Sequence, residues 1–358
     1  MSESISPPSP DLDYPALARR IKAWGMELGF QQVGITDTDL DTDEVHLVNW
    51  LTAGRHGEMD YMQRHGTRRS RPDELVPGTV RVITVRMDYW PADAAVADDI
   101  LDNPALAYLS RYALGRDYHK VIRKRLQRLA DKITAQAGPF GYRAFTDSAP
   151  VLEKALAQNA GLGWIGKHTN LINETAGSWF FLGELYINLP LPTDPPGEEH
   201  CGTCQACIDV CPTGAIIAPY QLDARLCTSY LTIELRGSIP EPLRPLIGNR
   251  IYGCDDCQLV CPWNRFAGAT VEQDFHPRNG LDASTLIQLF SWDRKEFENR
   301  LQGSAIYRIG FECWSRNIAV ALGNTPASPE ISAALEGRRD DPSALVREHV
   351  VWALQQHG

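Results

Sequence analysis

Seven of the nine cysteines in the chain fall into two short runs. The first, CGTCQACIDVCP, starts at Cys201 and reads C-x2-C-x2-C-x3-C-P. The second, CDDCQLVCPWN, starts at Cys254 and reads C-x2-C-x3-C-P, the same phrase without its opening cysteine; Ile251 stands where that cysteine belongs. Thiolates crowded at this spacing surround something larger than one ion, as in [4Fe–4S] ferredoxins. Zinc sites use separated C-x2-C pairs or add histidines to make single tetrahedra. Disulfides are disfavoured, because compact cysteine runs in a chain with no secretory leader read as metal or redox sites.

Two such clusters need eight thiolates, and in two-cluster ferredoxins the fourth cysteine of each run ligates the other cluster. That rule assigns Cys201, Cys204, Cys207 and Cys261 to the first cluster. The second takes Cys211, Cys254, Cys257 and a displaced ligand, for which Cys227 in ARLCTSYLT is the best candidate. Cys313, in FECWSRN, is left over and reads as a buried helix thiol.

A chain of 358 residues with 43% apolar residues has room for two or three domains with real cores. The Ser/Pro-rich opening, residues 1–13, lacks the basic start and apolar centre of a signal peptide and is expected to be a disordered tail. No apolar run approaches the roughly 18 residues of a membrane helix, so a soluble, cytoplasmic protein without membrane contact is expected. Residues 14–192 alternate helix and strand. YPALARRIKAWGMELG and DYHKVIRKRLQRLADKITAQAG have helical apolar spacing, the second with a stripe of Ile122, Leu126, Leu129 and Ile133 stopped by Gly138. QQVGITD, RVITVRMDYW, YRAFTDS and SWFFLGELYINLPL read as strands. VLEKALAQNAGLG reads as a further helix.

The Pro-rich LPLPTDPPGEEH is a linker into a ferredoxin-like block, residues 193–270, whose halves are parted by an insertion expected to be helical. Residues 275–358 are helical, and NIAVAL and HVVWAL begin 32 residues apart, at Asn317 and His349, a spacing that resembles paired HEAT-type helices. The triplet Gly161, Gly163, Gly166 gives G-x-G-x-x-G, but after a helix rather than a strand, so a dinucleotide site is not expected. DYHKVI approaches the D-x-H-x-x-G cobalamin motif but has Ile122 in place of glycine.

Taken together, RDYHKVIRKRL, DSAPVLEKALAQNAGLGWIGKH, GSWFFLGEL, CGTCQACIDVCPTGAI, RLCTSYLTIELRG and GNRIYGCDDCQLVCPWN resemble the epoxyqueuosine reductase family from about residue 15 onwards. The resemblance implies an α+β or α/β multidomain enzyme. Its N-terminal domain would bind cobalamin base-off and be similar to that of reductive dehalogenases; a 2×[4Fe–4S] domain and a HEAT-like domain would follow. It implies reduction of epoxyqueuosine to queuosine in tRNA, with electrons from an external donor, by a monomer. Asp147 matches the family's proton donor, which calls for a carboxyl whose pKa burial raises; without the resemblance Asp147 or Ser148 would be read as a helix cap. Arg69, Ser110, Leu171 and Leu182 match corrin-pocket positions, and Lys154 stands where some relatives carry arginine.

With a net charge of −10, tRNA binding must rest on local basic groups. The candidates are Arg123, Lys124, Arg125 and Arg128 on the long helix, Arg244 and Arg250 beside the second cysteine run, and Arg338 and Arg339. Trp263 and Tyr252 are candidate stacking platforms for splayed bases. Two other readings stand beside this one. One is a corrinoid iron–sulfur reductase of a small molecule; the other is a non-catalytic iron–sulfur carrier, which iron and sulfide without cobalt would favour.

Overall fold

A computed structural model describes residues 12–358. Most of the expected N-terminal tail lies outside the described residues, but its end is ordered: the Asp13 carboxylate caps helix α1 (Tyr14–Glu27) by accepting from the Ala16 N–H at 2.8 Å.

Four strands carry the first half of the chain: β1 (Gln32–Thr36), β2 (Arg81–Asp88), β3 (Tyr142–Phe145) and β4 (Phe180–Ile187). They form one sheet in the order β1-β2-β4-β3, and every pairing is antiparallel. The alternation of helix and strand therefore does not build a parallel α/β sheet. β2 and β4 occupy the centre and are largely buried on both faces; β4 is a nearly continuous apolar run, whereas β2 alternates apolar residues with Thr84 and Arg86.

The outer face of the sheet presents Ile83, Val85, Met87, Phe181, Leu185 and Ile187 to α1 and to the long helix α3 (Tyr118–Ala137); α2 (Asp41–Thr52) precedes it in the chain. The expected stripe of α3, Ile122, Leu126, Leu129 and Ile133, is fully buried there. Gly183 lets α3 lie close, since a Cβ at that position would stand 2.6 Å from Ile122 Cγ2. The inner face carries Val82, Thr84, Arg86, Leu182, Glu184 and Tyr186, in line with the period-2 alternation of strands. It is covered by α4 (Glu153–Asn159) and by the hairpin of Trp164–Ile165 with Leu171–Ile172. α4 is shorter than expected because Gly161 and Gly163 follow it with positive φ and turn the chain into that hairpin.

The Pro-rich segment is strapped down rather than free. Asp194 accepts from the Ile35 N–H at 2.9 Å and pairs with Lys22, and the Gly197 N–H donates to the Gln158 carbonyl at 2.8 Å. The insertion between the cysteine runs is made of short strands, 3-10 turns, one π-helical turn (Tyr230–Glu234) and a single α-helical turn (Arg244–Ile247), not of a long regular helix. The C-terminal block opens with two short helices, Leu286–Phe290 and Arg294–Leu301, and continues with α5 (Gly310–Gly323), α6 (Pro329–Glu336) and α7 (Ala344–Gln356). The two Ala-Leu segments pack together, Gly323 lying under Trp352 and Ala353. Their core is continuous with that of the insertion, running from Leu231 and Ile251 to Trp314 and Val350.

Candidate active site and thiol clusters

Cys201, Cys204, Cys207 and Cys261 line one cavity together with Lys167, His168 and Trp263. The two cysteine runs thus meet in space although they are separate in sequence. The Lys167 ammonium donates to the carbonyls of Gly202 (2.6 Å) and Cys204 (2.9 Å), and the Trp164 indole donates to Cys201 Sγ at 3.5 Å. Burial, with the other three thiols around it, pushes the Cys207 thiol up to about 11. Among the described residues, no three His, Cys, Asp or Glu side chains converge on the point a single ion would occupy.

The other four cysteines of the assignment lie deeper. Cys257 is pushed well above the usual thiol range by burial and then by Cys227, Asp255, Cys207 and Cys211, so Cys227 and Cys211 are its neighbours and Cys207 links it to the first cavity. Cys227 follows a 3-10 turn that Asp223 caps by accepting from the Arg225 N–H at 3.1 Å. Cys254 Sγ is 2.7 Å from the Asp256 carboxylate, which also pairs with Arg250. Cys313 sits on α5 among apolar side chains, as expected of a helix thiol.

A crevice lies beyond Cys257, whose charge reaches Lys154. Its central group is Asp147, in the left-handed region at φ 47° just after β3, with a half-exposed side chain. Helix α4 begins only at Glu153 with no side-chain cap, so Asp147 is not its cap. One Asp147 oxygen accepts from the Tyr118 hydroxyl and lies 3.2 Å from His119 Nε2. His119 Nδ1 faces Asp117 Oδ1 at 2.7 Å, and Asp117 is held by Arg308 of the C-terminal block at 2.9 Å.

The expected upward shift of Asp147 is not found: burial pushes its carboxyl up, but the hydrogen bonds from His119 and Tyr118 outweigh it and hold it low. Burial also works against His119, yet Asp117 and Asp147 win and raise its imidazole. The protonated carboxyl of the crevice is a different one. Burial and the Asp147 charge push Glu153 up to about 8, and its Oε2 accepts the Asp147 N–H at 3.1 Å. Tyr118, His119, Glu153 and Arg308 escaped the sequence reading. The near-miss motif DYHKVI contained the first two, and its Asp-x-His spacing is the signal that could have found them.

Arg69 is buried, not a solvated loop residue. Its guanidinium donates to the carbonyls of Met62 (3.3 Å) and Tyr61 (2.9 Å) and feels the charges of Asp147 and Glu153. Leu171 and Leu182 meet in one apolar cluster on the inner face of the sheet. The Ser110 hydroxyl donates to Asp255 at 2.5 Å, a carboxylate that also accepts from the Tyr108 hydroxyl and the Arg111 N–H, so Ser110 steadies the loop of Cys254 and Cys257.

Of the basic candidates, Arg123, Lys124 and Arg128 are exposed on the solvent side of α3. Arg125 is tied to Glu272, and Arg250 to Asp256. Arg244 is 1% exposed and bound to Glu348 and the Ile239 carbonyl. Arg338 stacks on Phe290 and Phe311, and Arg339 pairs with Glu336 at the surface. Tyr252 is buried and hydrogen-bonded to Tyr112, so it offers no platform for a base; Trp263 is half-buried against Trp164. No helix among the described residues is long and apolar enough to cross a membrane.

Comparison with known proteins extends these observations. The family model "Epoxyqueuosine reductase QueG, DUF1730" matches residues 69–148, from Arg69 to just past Asp147, and a "4Fe-4S double cluster binding domain" model matches residues 200–264. Epoxyqueuosine reductase of Pseudomonas aeruginosa is 61% identical over 100% of this chain and 98% of its own length. That of Escherichia coli is 59% identical over 97% of this chain and 91% of its own. A crystal structure of epoxyqueuosine reductase with an epoxyqueuosine-modified tRNA-Tyr stem loop superposes with a TM-score of 0.85 at 27% identity, covering 95% of this chain and 90% of that one. The Streptococcus thermophilus structure gives 0.83 at 26% identity, with the same coverage. With full-length relatives at this identity, a double-cluster segment holding the eight cysteines of the two groups, and Asp147 in the family-specific segment, the chain is an oxidoreductase and belongs to the epoxyqueuosine reductase family.

Proposed function

We infer that this chain reduces epoxyqueuosine to queuosine in the anticodon loop of tRNA. The reaction consumes two electrons and two protons; the epoxide oxygen leaves as water and an alkene remains. The observation that carries this reading is the meeting of the two cysteine runs at one cavity, in a chain whose family-specific segment holds Asp147 against Tyr118 and His119.

In this reading Cys201, Cys204, Cys207 and Cys261 hold one [4Fe–4S] cluster, and Cys211, Cys227, Cys254 and Cys257 hold the other. Electrons enter singly from an external donor. The reading further carries a cobalamin, bound base-off. The inner face of the sheet suits a large group with many amides: Thr84 Oγ1, Arg86 Nε and Nη1, both Glu184 oxygens and the Tyr186 hydroxyl are gathered there, buried without hydrogen-bond partners, and such groups are costly unless a partner meets them. Arg69, Ser110, Asp147, Leu171 and Leu182 would line its site, with Lys154 beside them. Bound there, the corrinoid would supply low-potential reducing chemistry.

The chain's own part is to hold and move protons. His119, whose imidazole Asp117 and Asp147 shift toward its charged form, recharges the Asp147 carboxyl. Asp147, half open to solvent, gives the proton to the departing oxygen. Glu153 holds a further proton at neutral pH. The flipped nucleoside would leave its stack to reach the crevice, and the setting is that of a cytoplasmic monomer.

The decisive experiment is an anaerobic incubation of the iron-loaded protein with cobalamin, reductant and tRNA carrying epoxyqueuosine, followed by nucleoside analysis. Queuosine should accumulate only with all components present. Intact epoxyqueuosine, despite bound cobalt and about eight irons, would overturn the reading.

A further inference from the structure

The glycines of GLGWIGKH, which lack the setting of a dinucleotide site, build the hairpin of Trp164–Ile165 with Leu171–Ile172. A Cβ at Gly163 would stand 2.0 Å from the Ile172 carbonyl oxygen, and one at Gly166 2.4 Å from Ile172 Cδ1, so glycine alone lets the two strands close. The Gly166 N–H pins the turn by donating to the Asn170 carbonyl at 2.8 Å.

Three side chains of this hairpin meet the first thiol group. Trp164, 2% exposed, gives its indole N–H to Cys201 Sγ. Lys167 and His168 line the cavity with Cys201, Cys204, Cys207 and Cys261, and the Lys167 ammonium is occupied by carbonyls of the first run. His168 is not so occupied. It is 4% exposed, its Nδ1 accepts the Asn170 N–H at 3.1 Å, and its Nε2 has no partner. A ring whose Nδ1 accepts carries its proton on Nε2, so the imidazole is neutral and has one N–H to give. A buried donor without an acceptor is costly, and a thiol is only a weak acceptor.

We propose that the His168 and Trp164 N–H groups donate to sulfurs of the first [4Fe–4S] cluster and lift its reduction potential above that of the second, which makes the first cysteine group the place where an external electron arrives. The assignment rests on the cluster reading given above. Reduction places one more negative charge on the iron–sulfur group, and N–H donors and the nearby Lys167 ammonium stabilise that charge. The electron comes from the donor, which is oxidised; no bond forms or breaks. The Asn170 N–H, aimed at Nδ1, keeps a second proton off the ring, so the electron comes without one. Cys204, the exposed member of the group, opens this end to a donor. In the deeper group Cys254 faces the Asp256 carboxylate at 2.7 Å, a charge that works in the opposite direction and that Arg250 offsets only in part.

A potentiometric titration of the iron-loaded protein, followed by electron paramagnetic resonance rather than by turnover, is the test. Wild type should show two separate one-electron waves. His168→Phe keeps a ring but removes the N–H. It should lower the reduced-to-oxidised ratio of the upper wave about tenfold at a fixed potential, the worth of one hydrogen bond to a charged group, or about 59 mV for one electron. Trp164→Phe should lower the same wave, and neither variant should move the lower one. His168→Gln offers an amide N–H in place of Nε2–H and should return the wave most of the way to wild type. Unchanged iron content reports an intact fold. Coincident waves in wild type, an upper wave that stays or rises in either Phe variant, a shift of the lower wave, or a His168→Gln wave like that of His168→Phe overturns the assignment. Iron lost from both His168 variants makes the ring a packing element and overturns it as well. If His168→Phe alone loses iron, His168→Gln must hold the wild-type wave or the assignment falls. A wild type that takes up no iron overturns the cluster reading itself.

Discussion

Asp147 is positioned by Tyr118 and His119, whose hydrogen bonds hold its carboxyl low, so in the proposed reaction the proton it delivers must first come to it from His119. Asparagine preserves its shape and its acceptor oxygen for Tyr118 but cannot carry a proton. Asp147→Asn should bind both clusters and cobalamin normally while turnover falls by about 10²–10⁴-fold; near-normal turnover would leave the proton to another donor. Glu153 gives the pH dependence its sign. It is neutral below about 8 and becomes a second negative charge beside Asp147 above that value. Turnover should therefore decline as pH rises through about 8, and Glu153→Gln should flatten that decline. An unchanged alkaline limb would assign it to His119, whose raised imidazole loses its proton in the same direction. Seven of the eight proposed cluster cysteines stand out by spacing, because thiolate geometry is written in short sequence intervals, whereas Cys227 stands out only as the best remaining candidate for a displaced ligand. Asp147 was legible only through family likeness. Arg308 was not legible at all, since it reaches Asp117 across nearly two hundred residues, a separation no local pattern records.

Among the elements, α3 does two things at once. Its apolar stripe closes the outer face of the sheet, and its first turn delivers Tyr118 and His119 to the acid. The stripe follows from periodicity, whereas the antiparallel order β1-β2-β4-β3 does not, because alternating helix and strand fit more than one topology. The exposed side of α3 carries Arg123 and Lys124. Reversing both charges should weaken tRNA binding and lower the slope of log affinity against log salt by roughly two, about one counterion for each phosphate that is no longer neutralised. The same affinity and slope measured by titration at several salt concentrations would put the tRNA on another face.

At the scale of the whole molecule, the C-terminal helices are part of the redox half. Arg316, 0% exposed, donates to the carbonyls of Leu231, Leu235 and Gly237, and Asn317 donates to those of Thr232 and Ile251. These bonds fix the irregular insertion that carries Cys227 and the strand that leads to Cys254. Arg316→Met leaves three buried carbonyls unmet, at about 1–3 kcal/mol each. The variant should lose about half of its iron, as Cys227→Ala should, whereas Cys313→Ala should lose none. Full iron in Arg316→Met, measured beside its melting temperature, would make the helices a separate appendage.

The interleaving of the two cysteine runs has a consequence for biosynthesis. The first cavity is walled by Cys201 and by Cys261, and the deeper group draws on Cys211 and Cys257, so neither is complete while a growing chain has delivered only the first run. The arm bearing Cys227 is not braced until Arg316 has left the ribosome. Loading of iron and sulfur therefore belongs after translation, on a nearly finished chain, and the two halves of the metal load should arrive together rather than in the order in which their ligands are made.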